Sequence, residues 1–405
     1  MIRRKIIFVA HPFICGGVEK SMLSAMSLID LTRYQVTLLL VKKQSEMLSY
    51  VPPTVDICEI PFLPLDRFEI EYGRKVAFRY AFTHFHWIHC FTMLWTKVNW
   101  FLHGRHDNYY EQIIASMVNR IRHVNGAFKS DFAFAYSGGI FVGALVKWLI
   151  DAPVKAIWCH GEGQMSMVAS TVSDSVYKAF THRYATLDLA TRLNAMIKSD
   201  DKKFEVMPYY LDVKSFNAMA DNGVGLGAQK CLKILTVGRL THQKGIDYAI
   251  NIAARLKVSG VNFCWYVIGE GEDRNLLEKM IKEKNVSDCF VLLGLKMNPY
   301  PFIKTCDIYA QPSRWEAYCI AVAEARAFCK PIICTDFVGA KEQLHNGETG
   351  VIVPLDDMNA FYEKLRQLIG NEMLRMRLCK ALSKQSDATA QTAFIAWKNV
   401  LEDAI

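Results

Sequence analysis

Several familiar signatures are missing from this sequence of 405 residues. Its twelve cysteines include no C-x-x-C pair and no Cys/His cluster at zinc-ligand spacing, which argues against the common zinc modules. Many of them, such as Cys231, Cys264 and Cys334, lie in apolar runs, where a reduced thiol behaves as a small hydrophobe. This pattern is typical of a reducing compartment, and we therefore expect a cytoplasmic protein.

Long apolar segments are missing as well. No stretch of roughly twenty uncharged apolar residues occurs, so no membrane-spanning helix is predicted. The N-terminal run MIRRKIIFVAHPF is basic and then apolar, but the apolar part is short, β-branched and ends at His11-Pro12. A signal peptide needs a longer apolar core and a small-residue cleavage site. We therefore predict a buried first strand here.

Acidic residues are absent between Tyr72 and His106, a window with five Lys/Arg residues, five histidines and ten aromatic residues. Aromatic rings with basic side chains suit a bilayer surface that carries anionic lipid. Contact through residues 72–106 would make the protein peripheral at the inner face of a membrane. The alternative is a helix pair that packs on the core and keeps its basic groups in solvent. The net charge is only +8 and no recognition module is visible, so no nucleic-acid partner is predicted.

The sequence does contain apolar strands that alternate with helical stretches, which predicts an α/β fold with parallel sheets covered on both faces. Its length exceeds the size at which one core usually stops growing, and the alternation restarts after a polar stretch at Ala218–Gln229. We predict a Rossmann-like domain over 1–215, a linker over 216–230 and a second such domain over 231–387. Residues 388–405 are predicted to form a C-terminal helix that could cross back to the first domain.

The pattern also predicts individual elements and the place of the site. A strand at Phe204–Tyr209 is expected to close the first domain. At the end of the chain, Ala360–Leu368 and Met373–Ser383 are expected as two helical pieces, and Ala388–Leu401 as a further amphipathic stretch. Because ligands of parallel sheets bind at the carboxyl ends of the strands, the site is expected in a cleft between the two domains.

Two cations follow a predicted strand in the segment VGRLTHQKGIDYAI, residues 237–250. The strand ends near Gly238, Arg239 and Lys244 come next, and Gly245 precedes a helix. Backbone N–H groups, the positive end of the helix dipole and two side-chain charges would then meet at one place. This arrangement suits a diphosphate, although a basic surface loop has the same composition.

Two carboxylates stand eight residues apart in SRWEAYCIAVAEARA, residues 313–327. Glu316 is expected in the loop after a strand, and Glu324 about two turns inside the following helix. An ionised carboxylate only accepts hydrogen bonds, and sugar or ribose diols offer paired donors. The alternative is a helix-capping Glu316 with a solvent-facing Glu324.

Together these segments resemble the retaining glycosyltransferases of family 4. The matching motifs occur in one order: Arg239 with Lys244, Glu316 with Glu324 as E-x7-E, VGAKE at 338–342 and NGETG at 346–350. The resemblance covers about residues 233–354. It implies the GT-B architecture, in which two Rossmann-like domains face each other across a cleft.

The resemblance also implies roles for individual residues. Arg239 and Lys244 would hold the nucleotide diphosphate and stabilise its growing charge, and Glu324 would bind the ribose hydroxyls. Glu316 would contact the donor sugar. The remaining donor-binding positions implied by the resemblance are Gly238, Ala317, Tyr318, Cys319 and Ile320. The family often has glycine where Ala317 and Cys319 stand, so the choice of donor stays open. The role of Glu342 is also open, and it could be structural.

The N-terminal half matches the family more thinly. Gly16 and Gly17 resemble its glycine loop, in which small residues let backbone amides approach phosphate or sugar. His160, at the end of a predicted strand, resembles the histidine placed near the donor sugar. A structural histidine is the alternative.

The resemblance implies an enzyme that transfers a sugar, with UDP-hexose as the favoured donor, to a glycan or lipid-linked acceptor in polysaccharide or cell-envelope glycan synthesis. No D-x-D motif occurs, so neither a metal nor another cofactor is expected; Arg239 and Lys244 would neutralise the leaving group instead. Two alternatives remain open at this point. One is a nucleotide-sugar epimerase of the same architecture, and the other is a non-catalytic nucleotide-sugar binding protein.

Overall fold

The computed structural model describes residues 3–11, 13, 16–62, 109–136, 139–161, 176–197, 203–228 and 230–403. The basic and aromatic window at 72–106, for which membrane contact is predicted, lies outside the described residues.

Seven strands of the N-terminal domain form one fully parallel sheet. Its members are β1 (Arg4–Ala10), β2 (Tyr34–Leu40), β3 (Asp56–Glu59), β5 (Phe132–Ala135), β7 (Val154–Trp158), β8 (His182–Ala185) and β9 (Glu205–Val206). They lie in the order β3-β2-β1-β5-β7-β8-β9. A separate pair joins β4 (Phe128–Lys129) to β6 (Ile150–Asp151). The central strands are nearly continuous apolar runs because helices cover the sheet on both sides.

The described helices of this half connect the strands in the manner of βαβ units. They are α1 (Gly17–Met26), α2 (Tyr109–Asn125), α3 (Ile140–Leu149), α4 (Leu187–Met196) and α5 (Val213–Asp221), with a 3-10 turn at Glu46–Tyr50.

The C-terminal domain repeats this plan with a six-stranded parallel sheet. Its strands are β10 (Leu232–Val237), β11 (Phe263–Ile268), β12 (Phe290–Leu292), β13 (Ile308–Gln311), β14 (Ile332–Thr335) and β15 (Val351–Val353). They lie in the order β12-β11-β10-β13-β14-β15. The helices are α6 (Ile246–Val258), α7 (Arg274–Glu283), α8 (Tyr300–Thr305), α9 (Ile320–Ala327), α10 (Ala340–Gln343), α11 (Met358–Gly370) and α12 (Glu372–Asp403).

The strand order reverses direction at β1 in the first sheet and at β10 in the second. Such switch points open a crevice at the carboxyl ends of the strands. One hydrophobic cluster includes residues of both sheets, among them Phe8 and Tyr136 of the first domain and Leu235 and Tyr309 of the second. The two crevices therefore face each other across a shared, packed boundary, as expected for two Rossmann-like domains.

The segment predicted as a polar linker is partly helical, which corrects the prediction at Ala218. Helix α5 continues to Asp221 and packs on α8, where the rings of Phe216 and Tyr300 stack with centroids 4.3 Å apart. Asn298 also donates to the Met219 carbonyl at 2.8 Å. Packing of the apolar face of α5 on the second domain stabilises the helix despite the polar composition of this stretch.

The strand predicted at Phe204–Tyr209 is also corrected, since only Glu205–Val206 pair with β8. The first two predicted C-terminal pieces are separate helices, α11 and α12, but Met373–Ser383 and Ala388–Leu401 belong to one helix, because α12 runs without interruption from Glu372 to Asp403. Burial of Leu382 and Ala393 on either side of the expected break stabilises the continuous helix.

The end of α12 reaches the N-terminal domain. Trp397 is fully buried, with its ring centroid 5.3 Å from that of Trp158 and 5.8 Å from that of Phe134. Its indole nitrogen donates to the carbonyl of Pro208 at 3.2 Å. The last helix therefore belongs to the second domain at its start and to the first at its end.

Within the described part of the chain, none of the helices combines the length and the apolar character needed to cross a bilayer.

Candidate functional site

A cavity of about 790 Å³ lies between the two domains at the carboxyl ends of the central strands. It brings together every site residue predicted from the sequence. The N-terminal domain supplies Gly16, Gly17 and His160, and the C-terminal domain supplies Gly238, Arg239, Lys244, Glu316, Ala317, Tyr318, Cys319, Ile320 and Glu324.

The turn after β10 positions Lys244. The chain passes Gly238, makes a 3-10 turn at His242–Lys244 and enters α6 through Gly245, which is left-handed with a φ of 64°. A Cβ at Gly245 would lie 2.0 Å from the carbonyl oxygen of Pro312. Glycine is required here both by the backbone conformation and by the close approach of the next loop.

Lys244 and Glu316 form a partly buried ion pair in the cavity wall, with 14% and 8% of their side chains exposed. Burial alone would lower the pKa of Lys244, but the charge of Glu316 and its hydrogen bond outweigh burial and raise that pKa. The ammonium therefore stays charged at neutral pH. Lys244, held by Glu316, therefore places a positive charge where the resemblance implies a diphosphate.

A chain of hydrogen bonds along β13 orients Glu316. Tyr309 donates to Gln311 at 2.9 Å, Gln311 donates to Ser313 at 2.8 Å, and Ser313 donates to Glu316 Oε1 at 3.0 Å. Sequence reasoning missed these three residues. The signal was available, because polar residues two apart along a buried strand lie on one face.

Arg239 is the less constrained of the two predicted cations. It donates to Gln243 at 3.4 Å, and no carboxylate among the described residues lies within ion-pair distance of it. Gln243 in turn donates to the carbonyl of Trp315 at 3.0 Å. The guanidinium lines the cavity with its charge uncompensated, which suits an anionic ligand.

The loop from Ala317 to Ile320 enters α9 through a strained residue. Cys319 has a φ of 64° and a ψ of 81°, a left-handed conformation that is costly for any residue but glycine. This explains why a glycine suits this position. Tyr318, its neighbour, crosses the domain boundary and packs on Tyr209 with ring centroids 4.6 Å apart.

Glu324 lies in α9 and is almost completely buried, with 1% of its surface exposed. Its Oε1 accepts from Lys20 Nζ at 2.9 Å and from the Tyr300 hydroxyl at 3.1 Å. The alternative of a solvent-facing helix residue is therefore wrong. Lys20 belongs to α1 of the other domain, and neither it nor Tyr300 was identified from the sequence.

The two glycines at the start of α1 both lie in tight places. A Cβ at Gly17 would lie 2.8 Å from the Cβ of Ile320, and one at Gly16 would lie 2.4 Å from Glu19 Oε2. Glu19 was not predicted as a site residue, yet it lines the cavity and is 7% exposed. Burial raises its pKa to about 7, although its own backbone N–H partly opposes the shift.

His160 lies in the cavity wall with both ring nitrogens hydrogen-bonded inside the protein. Nε2 faces the carbonyl of Tyr136 and Nδ1 faces the hydroxyl of Tyr209. Because a carbonyl only accepts, the proton lies on Nε2, and Nδ1 accepts from Tyr209. Burial lowers the pKa of His160 to about 3. The imidazole is therefore neutral at physiological pH.

Glu342 makes a contact between the two domains, and it lies apart from the predicted donor-binding residues. Its Oε2 accepts from the backbone N–H of Asp188 at 3.3 Å, in the first turn of α4. The N-cap of that helix, Thr186, provides no side-chain hydrogen bond, so a carboxylate from the other domain takes its place. Burial raises the pKa of Glu342 despite this contact.

The described residues contain no group of three or more His, Cys, Asp and Glu side chains arranged to hold a metal ion.

Part of the C-terminal half of the chain matches a known protein family. Residues 226–385 match the family described as glycosyl transferases group 1. One relative, an N-acetylgalactosamine-N,N'-diacetylbacillosaminyl-diphospho-undecaprenol 4-alpha-N-acetylgalactosaminyltransferase of Campylobacter jejuni, is 30% identical over 43% of this chain and 46% of its own. The capsular polysaccharide biosynthesis glycosyltransferase CapM of Staphylococcus aureus is 27% identical over 52% of this chain and 56% of its own. The chain thus spans about half the length of these curated relatives.

Solved structures agree over the whole chain. HepE of Anabaena in complex with UDP-glucose has a TM-score of 0.69 and 13% identity, and covers 99% of this chain and 100% of its own. WaaG, a glycosyltransferase involved in lipopolysaccharide biosynthesis, has a TM-score of 0.60 and 14% identity, and covers 98% of both chains. At such identities the likeness shows the fold alone. The chain therefore has the GT-B fold, and its residues 226–385 match the glycosyl transferases group 1 family.

Proposed function

We propose that this protein is a retaining glycosyltransferase that moves a hexose from a nucleoside diphosphate sugar to a glycan or lipid-linked acceptor. UDP-hexose is the favoured donor, and the product belongs to polysaccharide or cell-envelope glycan synthesis. The reaction needs no metal ion. The observation that carries this proposal is the convergence of Arg239 and Lys244 in one inter-domain cavity, the second held by Glu316.

The electrostatics of the cavity suit a departing diphosphate. When the bond between the anomeric carbon and the phosphate oxygen breaks, negative charge grows on the diphosphate and positive charge on the sugar ring. Arg239, Lys244 and the N-terminus of α9 supply positive charge and N–H donors on the phosphate side. Because Lys244 and the backbone N–H groups of α9 are held in place before the reaction, they cost little reorganisation as the charge develops.

In the proposed mechanism the oxygen of the leaving phosphate takes the proton of the acceptor. This mechanism fits His160, a polar side chain that the N-terminal domain places in the cavity wall. In this scheme the acceptor attacks on the face from which the leaving group departs, so the anomeric configuration is retained. A neutral His160 with both nitrogens engaged is a poor general base. Its role is to form part of the wall beside the donor sugar, and Glu316 contacts that sugar from the opposite side.

The activities named for two relatives support the acceptor class. The Campylobacter jejuni enzyme is named for a diphospho-undecaprenol substrate, and CapM for capsular polysaccharide biosynthesis. A lipid-linked acceptor would bring this protein to the inner face of a membrane. A membrane contact through residues 72–106 remains part of this proposal.

Thermal unfolding of the purified protein with UDP, GDP, ADP and their sugars tests the donor class. A ligand that binds only the folded state raises the unfolding temperature, and we expect the largest rise with UDP compounds. The same order of shifts is expected with EDTA present. If no nucleoside diphosphate raises the unfolding temperature, the proposal is wrong.

Product analysis then separates transfer from the two alternatives. A labelled UDP-hexose should give labelled glycan or lipid only when acceptor is present. Release or epimerisation of the sugar without acceptor would instead indicate an epimerase. Tight UDP binding with no turnover of any donor in the presence of envelope extract would indicate a non-catalytic binding protein.

A further inference from the structure

The carboxylate of Glu324 is held asymmetrically. Its Oε1 accepts hydrogen bonds from Lys20 and Tyr300 at 2.9 and 3.1 Å. Oε2 makes no side-chain or backbone hydrogen bond with the described residues, and Glu324 lines the inter-domain cavity. One oxygen of a nearly buried carboxylate is thus anchored by two donors, and the other is left to accept from a ligand.

Lys20 reaches Glu324 from the opposite domain. It lies in α1, whereas Glu324 lies in α9, 304 residues further along the chain. The Lys20 side chain is 13% exposed and that of Glu324 is 2% exposed, and the ammonium also lies 5.3 Å from the centre of the Tyr300 ring. An ion pair so far removed from water is held in one geometry by its surroundings rather than by charge alone.

We propose that Lys20 is a positioning residue for the nucleotide of the donor: it fixes Glu324 so that Oε2 accepts from the ribose hydroxyls. This inference rests on the proposed function, because it takes a nucleoside diphosphate sugar as the ligand. The nucleotide site is then assembled from both domains. The second domain supplies the carboxylate, and the first domain supplies the cation that orients it.

Lys20 acts on Glu324 through both orientation and charge. A carboxylate tied at one oxygen by two donors cannot rotate, so the lone pairs of its other oxygen keep one direction. Without Lys20 the buried charge of Glu324 would lose its compensation, and the carboxylate would turn towards water. This change removes the acceptor on which a ribose diol depends. Contact between the domains therefore becomes a condition for binding the nucleotide.

Selectivity for ribose gives a readout that a merely structural role would not change. The 2′-hydroxyl of UDP can donate to Glu324, and 2′-deoxy-UDP lacks this donor. We expect the wild-type protein to bind UDP at least about tenfold more tightly than 2′-deoxy-UDP, since a hydrogen bond to a charged group contributes on this scale. In K20M this ratio should fall towards one, chiefly because UDP binds less well.

The experiment is calorimetric titration of the full-length protein with UDP and 2′-deoxy-UDP. The variants are K20M, K20R, Y300F and, as a matched control, K214M, which removes an exposed lysine of α5. K20R keeps the charge and should recover most of the ratio. Y300F removes the other donor to Oε1 and should lower the ratio less than K20M does. K214M should match the wild type.

Four outcomes decide the inference. A lower ratio in K20M with recovery in K20R supports it. An unchanged ratio in both K20M and Y300F overturns it and leaves the proposed function intact. Tighter UDP binding by K20M also overturns it, because Lys20 would then compete with the nucleotide. Absence of UDP and 2′-deoxy-UDP binding in the folded wild type would overturn the proposed donor and this inference together.

Discussion

Gly17 of the first domain touches Ile320 of the second so closely that a methyl group on its Cα would lie 2.8 Å from the isoleucine Cβ. Gly17 opens α1 and Ile320 opens α9, so the N-termini of two helices meet at the cavity. The resemblance had implied that this glycine lets backbone amides approach a phosphate or sugar. In the structure its small size also lets the two domains approach each other.

Replacement of Gly17 by alanine should therefore weaken donor binding without unfolding the protein. Alanine favours a helix over glycine by up to about 1 kcal/mol, so α1 itself should not be destabilised. The added methyl group pushes against Ile320, and we expect kcat/KM to fall by about tenfold or more as the cavity widens. Titration with UDP and a transfer assay measure the effect. The control is G139A, at the N-cap of α3, where an added Cβ has no atom within 4 Å.

Replacement of Lys244 by alanine should remove most turnover. Loss of one group that stabilises developing negative charge costs about 100- to 1,000-fold in kcat, and Glu316 would also be left as a buried acid without its cation. Initial rates at saturating donor measure the loss. Lys279 forms an exposed pair with Glu283, and K279A should be fully active. Near-normal turnover of K244A would contradict the proposed role.

Glu19 should make the stability of the protein depend on pH. Burial raises the pKa of Glu19 in the folded state from 4.5 to about 7. The contribution of this side chain to the free energy of unfolding is therefore complete only below pH 4.5, where it is neutral in both states, and is lost as the pH rises through 7. The lost contribution is on the order of 3 kcal/mol. E19Q should therefore gain free energy of unfolding relative to the wild type at pH 8 but not at pH 4. Urea unfolding at both values measures this. E46Q, at an exposed acid in a first helical turn, should show no such difference.

Cys319 should tolerate glycine and reject a β-branched residue. A β-branched side chain in the left-handed conformation of this position is a genuine outlier, so C319V should lose about 2 kcal/mol or more of unfolding free energy. In C319G the relief of strain offsets the loss of a small buried thiol, and stability should change by less than about 1 kcal/mol. Chemical denaturation measures both. C334V provides the comparison, because Cys334 lies in regular strand β14, where valine fits well.

The local motifs of the site could be predicted because their geometry depends on neighbours in sequence. Arg239 and Lys244 lie in the turn between one strand and the next helix, and Glu316 and Glu324 flank the start of α9. A residue at the end of a strand or the start of a helix can be placed to within a few residues from the sequence pattern alone. The parallel sheets followed from the alternation of apolar and helical segments for the same reason.

The contacts that join the two halves could not be predicted in this way. Lys20 and Glu324 are 304 residues apart, and Glu342 caps a helix 154 residues before it. Nothing local marks Lys20 or Asp188 as the second partner, because each contact depends on how two finished domains meet. The same limit applies to His160, whose neutral state follows from its burial in the folded cavity wall.

The uninterrupted helix α12 has a practical consequence for protein engineering. Because it starts on the second domain and buries Trp397 in the first, any separation of the two domains would require the helix to bend or its end to withdraw. Fusions or deletions near Trp397 would accordingly change how firmly the two domains are joined. Affinity tags are better placed elsewhere when substrate turnover is to be measured.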